Sequence, residues 1–304
     1  MSIATTTARR TVERTEVATG KSKERSPGSI AFLVALWFSL FFGVMVLIVL
    51  IVDTAINGAP RFDTELITNY ASRVSPETTG FRAGILGTIF LMGFTALFAV
   101  PLGIAAAVYL EEFADNEKWY NRVIEVNLQN LAAVPAIVYG LLAVATMALM
   151  GFSETGTVLG GSLALALLIL PVVIITTREA LRSVPREIRD GSLALGATTW
   201  QTTWRNTLPA AIPGIATGTI LGLSRAIGEA APLVVVGLAG SLRFDPEGLM
   251  SQITALPMQI YSLTSQSQED FRVAASAAII VLLVLVLGLN ALAIIIRNKF
   301  QRSW

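Results

Sequence analysis

The 304-residue chain contains no histidine and no cysteine. These absences exclude Ser-His and Cys-His nucleophiles, thiolate zinc sites and an axial haem imidazole. Charge is scarce: Asp, Glu, Lys and Arg make up 14% of the residues, where soluble domains carry about 25%. The basic residues border apolar runs and do not interleave with aromatics on one surface, so no nucleic-acid partner is expected. The one phosphate-loop look-alike, TEVATGKS at 15–22, has Thr15 where that loop needs glycine and lies in a polar segment with no strand before it. No internal repeat is evident, and nothing reads as an enzyme.

What is abundant is apolar sequence. Hydrophobic residues reach 54%, mean hydropathy is +0.67, and uncharged runs cover 29–52, 83–110, 128–152, 157–177 and 273–296. About 20 such residues span the hydrocarbon core. A sixth stretch, 208–232, is long enough but carries Arg225 and Glu229. The expectation is an all-α polytopic membrane protein with six transmembrane helices. The first run is not a secretory leader, because 28 residues precede it and it is 24 residues long, where a leader's apolar region has about 7–15. Residues 1–28, with net charge +3, read as a disordered cytoplasmic tail. Residues 29–80 read as a first span with an external loop, and 81–304 as the core. With the N-terminus inside, the inner segments hold 16 Lys and Arg and the outer ones 5. The positive-inside rule then puts both termini, and the loop 178–207, in the cytoplasm.

In that loop, DGSLALGATTWQTTWRNTLP (190–209) is half polar. Pro185 suits a first helical turn. Arg186–Leu195 can be helical, Gly196 permits a bend, and Ala197–Thr207 can form a second short helix, with Pro209 in the first turn of the next span. Leu193, Ala197, Trp200, Trp204 and Leu208 recur at a spacing of about 3.6 and are expected on one face. Two readings of that face stay open: anchoring in lipid headgroups through the tryptophans, or docking into a partner. The stretch resembles the coupling loop of ABC importer permeases, whose pattern is Glu-Ala-Ala, three residues, Gly, nine residues, Ile-x-Leu-Pro. Asp190, Gly191 and Ser192 stand at the acidic-small-small start, Gly196 follows after three residues, and Leu208-Pro209 closes the pattern at the family spacing. The departures are Asp190 for Glu, Gly191 and Ser192 for the alanines, and Asn206 for Ile. Gly191 loosens the first helix by up to about 1 kcal/mol relative to Ala. The resemblance implies that Asp190, Gly191, Ser192, Leu193, Gly196, Trp200, Trp204, Leu208 and Pro209 couple the chain to a separate ATPase subunit. ATP and Mg would bind there, with no cofactor in this chain.

NLAAVPAIVYGLL (130–142) sets Pro135 inside the third span with Asn130 and Tyr139 around it, and LSRAIGEAAPL (223–233) sets Arg225 and Glu229 four apart on one helix face. With 256–279, these stretches resemble the PstA-type permeases of bacterial phosphate importers, from about residue 80 to the C-terminus. The resemblance implies a second, distinct permease subunit, an ATPase dimer and an external phosphate-binding protein, with Arg225, Glu229, Asn130 and Tyr139 on the substrate pathway. On physics alone, Pro135 is a tolerated kink with its freed carbonyl re-satisfied, and Tyr139 packs. Arg225 and Glu229 form a structural pair unless they face a cavity, since a charge at mid-membrane costs on the order of 3 kcal/mol. Residues 230–240 either extend the sixth stretch or fold back. Asp245-Pro246 reads as the start of a short helix to about Leu256, interrupted by Pro257, which either roofs the pathway or is a solvated loop. A permease for sulfate or molybdate and an ion-coupled carrier are the alternatives. A carrier would show inverted repeats and paired broken helices, neither evident in the sequence.

Overall fold

The structure, a computed structural model, describes residues 27–115 and 117–300. The expected disordered tail falls almost wholly outside the described residues; its last two, Pro27 and Gly28, begin the first helix. The chain divides into two compact units, Met1–Asp53 and Thr54–Trp304.

In chain order the helices are α1 (Pro27–Gly58), α2 (Glu65–Thr68), α3 (Arg82–Val108), α4 (Trp119–Ala132), α5 (Ala136–Leu149), α6 (Val158–Arg182), α7 (Arg186–Ala194), α8 (Thr199–Thr202), α9 (Leu208–Ile227), α10 (Ala231–Val236), α11 (Leu256–Thr264) and α12 (Glu269–Phe300). Two π-wound stretches extend these: Tyr109–Phe113 continues α3, and Thr203–Thr207 joins α8 to α9. The architecture is all-α. Among the described residues, five helices are long and apolar enough to cross a membrane, and six if α4 and α5 count as one broken span.

That broken span is more sharply bent than the tolerated kink Pro135 suggests on physics alone. Pro135 has no N–H to donate and its ring cannot follow an α-helical residue without clash. The helix ends at Ala132, Pro135 caps α5, and the two halves meet at 115°. The stretch 208–232 is likewise interrupted. α9 stops at Ile227 with Gly228 at its end, and 231–236 form the separate helix α10. Gly237, at φ +84°, then turns the chain in a left-handed conformation that a Cβ disfavours. α10 folds back onto α5: a Cβ on Gly140 would stand 2.6 Å from the Pro232 carbonyl oxygen. The helix expected from Pro246 to Leu256 is absent. The Asp245 carboxylate is engaged by Arg82, Nη2 to Oδ2 at 2.7 Å, and is not free to cap. Pro257 opens α11 and does not interrupt a helix.

α6 is the central helix of the second unit, packed against α3, α9, α5 and α10. Its apolar residues Val158, Leu165, Ile169 and Val173 are buried, together with Leu91, Ala99 and Met147. Glycines allow close approach where packing must supply the association energy between helices in lipid. A Cβ on Gly214 of α9 would meet the Ala180 methyl of α6 at 2.7 Å, and one on Gly218 would collide with Thr176. Chain 249–253 runs beside the start of α6 and takes up its first amides, with Val158 N bonding Ser251 O and Leu159 N bonding Leu249 O.

Candidate functional site

The elbow 185–209 is built from residues whose local preferences agree. α7 begins at Arg186 after Pro185 and ends before Gly196, which sits at φ +86°. That conformation is strained for any L-residue with a side chain. Beyond it, Thr198 and Gln201 form a reciprocal capping box: Thr198 Oγ1 accepts from Gln201 N, and Thr198 N donates to Gln201 Oε1. Such a cap contributes about 0.5–2 kcal/mol. α8 then winds without a break through the π stretch into α9, with Leu208 and Pro209 in its first turn.

Ser192 joins the two arms. Its hydroxyl lies 2.9 Å from Thr202 Oγ1 and accepts from Asn206 Nδ2 at 2.9 Å. Ser192 and Asn206 are two of the departures from the coupling-loop pattern, and they meet. Two positions that are apolar in the pattern are here joined by a hydrogen bond.

The tryptophan face differs from the single stripe expected. The bend at Gly196 resets the helical phase, so Leu193 does not join Trp200, Trp204 and Leu208. Those three line an apolar groove of about 660 Å³ with Pro101, Ile104, Val108 and Phe113 of this same chain. The Trp200 and Phe113 rings are 5.9 Å apart, and the Trp200 and Trp204 rings 5.4 Å. The outward tip carries Leu193 and Leu195, the latter 91% exposed, and Asp190 and Gly191 are exposed beside them.

The pathway candidates separate into two sets. Arg225 and Glu229 pair, Nε to Oε1, at 3.6 Å across the end of α9. Tyr139 is 4% exposed and donates to the Leu131 carbonyl at 2.5 Å. The Leu131 carbonyl also accepts from Val134 N at 3.0 Å, so the hydroxyl is an added donor that ties α5 to the end of α4 across the break at 133–135. Asn130 lies exposed on the last turn of α4, and no contact joins it to Arg225. Among the described residues, no group of three or more His, Cys, Asp or Glu side chains is placed to hold a metal ion.

The family described as "Binding-protein-dependent transport system inner membrane component" matches residues 99–303. The chain belongs to this family. Its relatives include the protein named Phosphate transport system permease protein PstA 1 of Mycobacterium tuberculosis (strain ATCC 25618 / H37Rv), 36% identical over 221 residues that cover 72% of this chain and 70% of that protein. Another is Phosphate transport system permease protein PstA of Xylella fastidiosa (strain Temecula1 / ATCC 700964), 30% identical over 252 residues, 81% and 85% of the two chains. The PstA-type resemblance read from the elbow and the charged helix is thus met. In three dimensions the permease is similar to a chain of a bacterial ABC transporter that imports alginate, with TM-score 0.61, 16% identity, and 92% and 100% of the two chains covered. It is also similar to a chain of the inward-facing MetNI methionine ABC transporter, with TM-score 0.56, 19% identity, and 73% and 95% covered. At these identities the likeness is one of fold.

Several residues of the permease escaped the sequence reading. Beside the elbow, Glu111, Glu125, Arg178 and Arg182 form one ion-pair network, and Glu112 with Arg189 forms a second pair next to it. Their signal was present, since six charges flank apolar runs in a chain with few charges, but pairing across 53 to 77 positions has no local period. The capping box was readable as Thr-x-x-Gln at 198–201.

Proposed function

We propose that the chain is one permease subunit of an ATP-driven phosphate importer. It forms half of a translocation path with a second, distinct permease, and takes its drive from a separate ATPase dimer through the elbow 185–209. An external phosphate-binding protein delivers the ion. The elbow and both termini face the cytoplasm, as the distribution of Lys and Arg supports. The observation that carries the reading is an exposed, internally braced elbow with the coupling-loop spacing, in a member of a binding-protein-dependent family whose relatives are named as phosphate permeases. Leu195 and Leu193 at its tip are exposed apolar groups able to enter a partner's cleft, while Trp200 and Trp204, also about half exposed, line the chain's own groove. Arg225 supplies positive potential on the path, and Glu229 limits how tightly the anion is held.

One observation favours the ion-coupled alternative. Two helices are interrupted, at 133–135 and at 228–230, and discontinuous helices also build carrier sites. The elbow has no use in such a carrier, and the family decides between the two. The test is uptake of radiolabelled phosphate by proteoliposomes that hold both permeases and the ATPase, with the binding protein outside and ATP inside. Sulfate and molybdate serve as competitors. ATP-dependent uptake resisting both competitors is expected; uptake without ATP, or displacement by sulfate, would overturn the reading.

A further inference from the structure

On the proposed reading the elbow meets the ATPase, and transport then requires helices deep in the bundle to move with it. By chain connection the elbow is joined to α6 and α9. α3 packs on α6 and also meets α9 directly, where Ile104 and Val108 share an apolar cluster with Leu208, Ala211 and Ile215; its hold on the elbow's own two arms comes from side chains.

That hold is concentrated in three consecutive residues. At Tyr109 the helix α3 becomes π-wound, closed by Ala114 N to Tyr109 O at 2.8 Å. π turns of this kind occur mostly as single turns and often at functional sites. From this turn Glu111, Glu112 and Phe113 each reach a different neighbour. Glu111 receives Arg178 Nε at 3.2 Å and Arg182 Nε at 2.7 Å, both from the end of α6. Glu112, whose side chain is only 8% exposed, receives Arg189 Nη2 from α7 at 2.9 Å. Phe113 meets the Trp200 ring of α8 at 5.9 Å. One short turn therefore grips the helix before the elbow, the elbow's first arm and its second arm.

Arg189 makes the grip directional. Its Nη2 also donates to the Leu181 carbonyl at 2.7 Å, and Nη1 to the Val184 carbonyl at 2.9 Å. These are carbonyls at the C-terminal end of α6, where a cation is favoured. The planar fork spans a carboxylate and two carbonyls at once, which a lysine ammonium cannot do in fixed geometry. Arg178 carries the link onward to Glu125 of α4 at 3.0 Å. Three carboxylates and three guanidinium groups balance in charge, with Glu111, Glu112, Arg178 and Arg189 mostly sheltered and Arg182 and Glu125 at the open edge. Removing one member leaves another uncompensated.

We infer that the turn Glu111–Phe113, with Arg189, is the transmission element that makes α3 follow the elbow. Glu112, Phe113 and Arg189 are positioning residues for transport and touch no substrate. The inference rests on the proposed role of the elbow, but not on the identity of the transported ion.

The test uses the complete complex of both permeases and the ATPase in proteoliposomes. It compares Glu112→Gln, Phe113→Ala, Arg189→Gln, Arg189→Lys and the double Glu112→Gln with Arg189→Gln. ATP hydrolysis is measured with and without the binding protein, and phosphate uptake in parallel. For Glu112→Gln, hydrolysis without the binding protein is expected to stay within about twofold, while its stimulation and the uptake fall about tenfold. The binding protein's half-saturating concentration should not move. The double variant should be no worse than Arg189→Gln alone, because the two residues share one contact. Arg189→Lys should restore only a minor part. Normal stimulation in Glu112→Gln or Arg189→Gln, or additive losses in the double, would overturn the inference. So would failure of both single variants to assemble, or equal loss of basal and stimulated hydrolysis, since the cluster would then serve folding alone. If the unmodified complex hydrolyses ATP on stimulation but carries no phosphate, the substrate reading falls and the hydrolysis ratios still decide the transmission role.

Discussion

Asn206 Nδ2 donates to Ser192 Oγ across the elbow at 2.9 Å, and both residues stand where the coupling-loop pattern has apolar ones. The two departures compensate each other. Ser192→Ala removes an acceptor from Asn206 and a partner from Thr202, leaving partly buried polar groups unsatisfied at a cost of about 1–3 kcal/mol. Replacing both partners with apolar residues is far less costly. The expected result is a lowered thermal midpoint of the purified complex and weakened uptake for Ser192→Ala, with both largely recovered in Ser192→Ala combined with Asn206→Ile. Equal damage in the single and the double variants would show that the bond does not brace the elbow.

The tip is expected to be the contact with the ATPase. Leu195 at the tip is 91% exposed, whereas Trp200 and Trp204, 59% and 49% exposed, line the chain's own groove. Leu193→Asp, Leu195→Asp and Gly196→Pro should abolish hydrolysis stimulated by substrate delivery. Proline cannot reach the φ of +86° seen at Gly196, because its ring holds φ near about −65°. Trp204→Ala should instead lower stability through lost packing, by about 3–5 kcal/mol if the site were fully buried and less at its partial exposure. Stimulation that survives the aspartate substitutions but is lost in Trp204→Ala with stability intact would restore the tryptophan face as the docking surface.

Much of this molecule was legible before its structure. Long uncharged runs leave little choice but membrane helices, and the glycine–proline punctuation of 190–209 marked the elbow within a residue or two of its observed ends. What failed depended on distant partners. Asp245 reads locally as a helix cap, yet Arg82, 163 positions away, claims its carboxylate. Leu193 has the spacing to join Trp200, but the left-handed Gly196 breaks the phase between them. Pro135 was visible as a breaker, while the 115° angle it leaves is set by how α5 packs against α10 and α6. Arg225 and Glu229 were paired correctly, because a four-residue separation on a helix is a local rule.

The chain should not work as a homodimer. The proposed path needs a second wall, and the PstA-type resemblance implies that a distinct permease supplies it. Co-expression of this permease with the ATPase alone is expected to give no phosphate uptake above background in vesicles, and addition of the second permease to restore it. Robust uptake from the two-component combination would remove the heteromeric requirement.

The pair Arg225–Glu229 yields the sharpest test of the pathway. In the isolated subunit the Arg225 side chain is 48% exposed and that of Glu229 is 26% exposed, with 3.6 Å between them. A purely structural pair would be expected to bury itself against neighbouring helices; this one is half open in the subunit, which suits a place on the proposed path. A free arginine would bind phosphate bidentately and release it slowly, and the carboxylate one turn away shares the guanidinium and weakens that hold. Arg225→Lys keeps the charge but loses the fork, so reduced uptake in an intact complex is expected. Arg225→Gln should lose roughly thirtyfold, the factor that corresponds to about 2 kcal/mol for one lost partner of a charged contact. Glu229→Gln should slow release, lowering maximal uptake more than apparent affinity. The rival structural reading makes the opposite forecast for Arg225→Leu combined with Glu229→Leu. Both charges leave together, nothing is left unpaired, and uptake should return. ATP-driven phosphate uptake measured for the singles and the double separates the two, and near-normal transport by the double variant would reduce the pair to a helix-packing device.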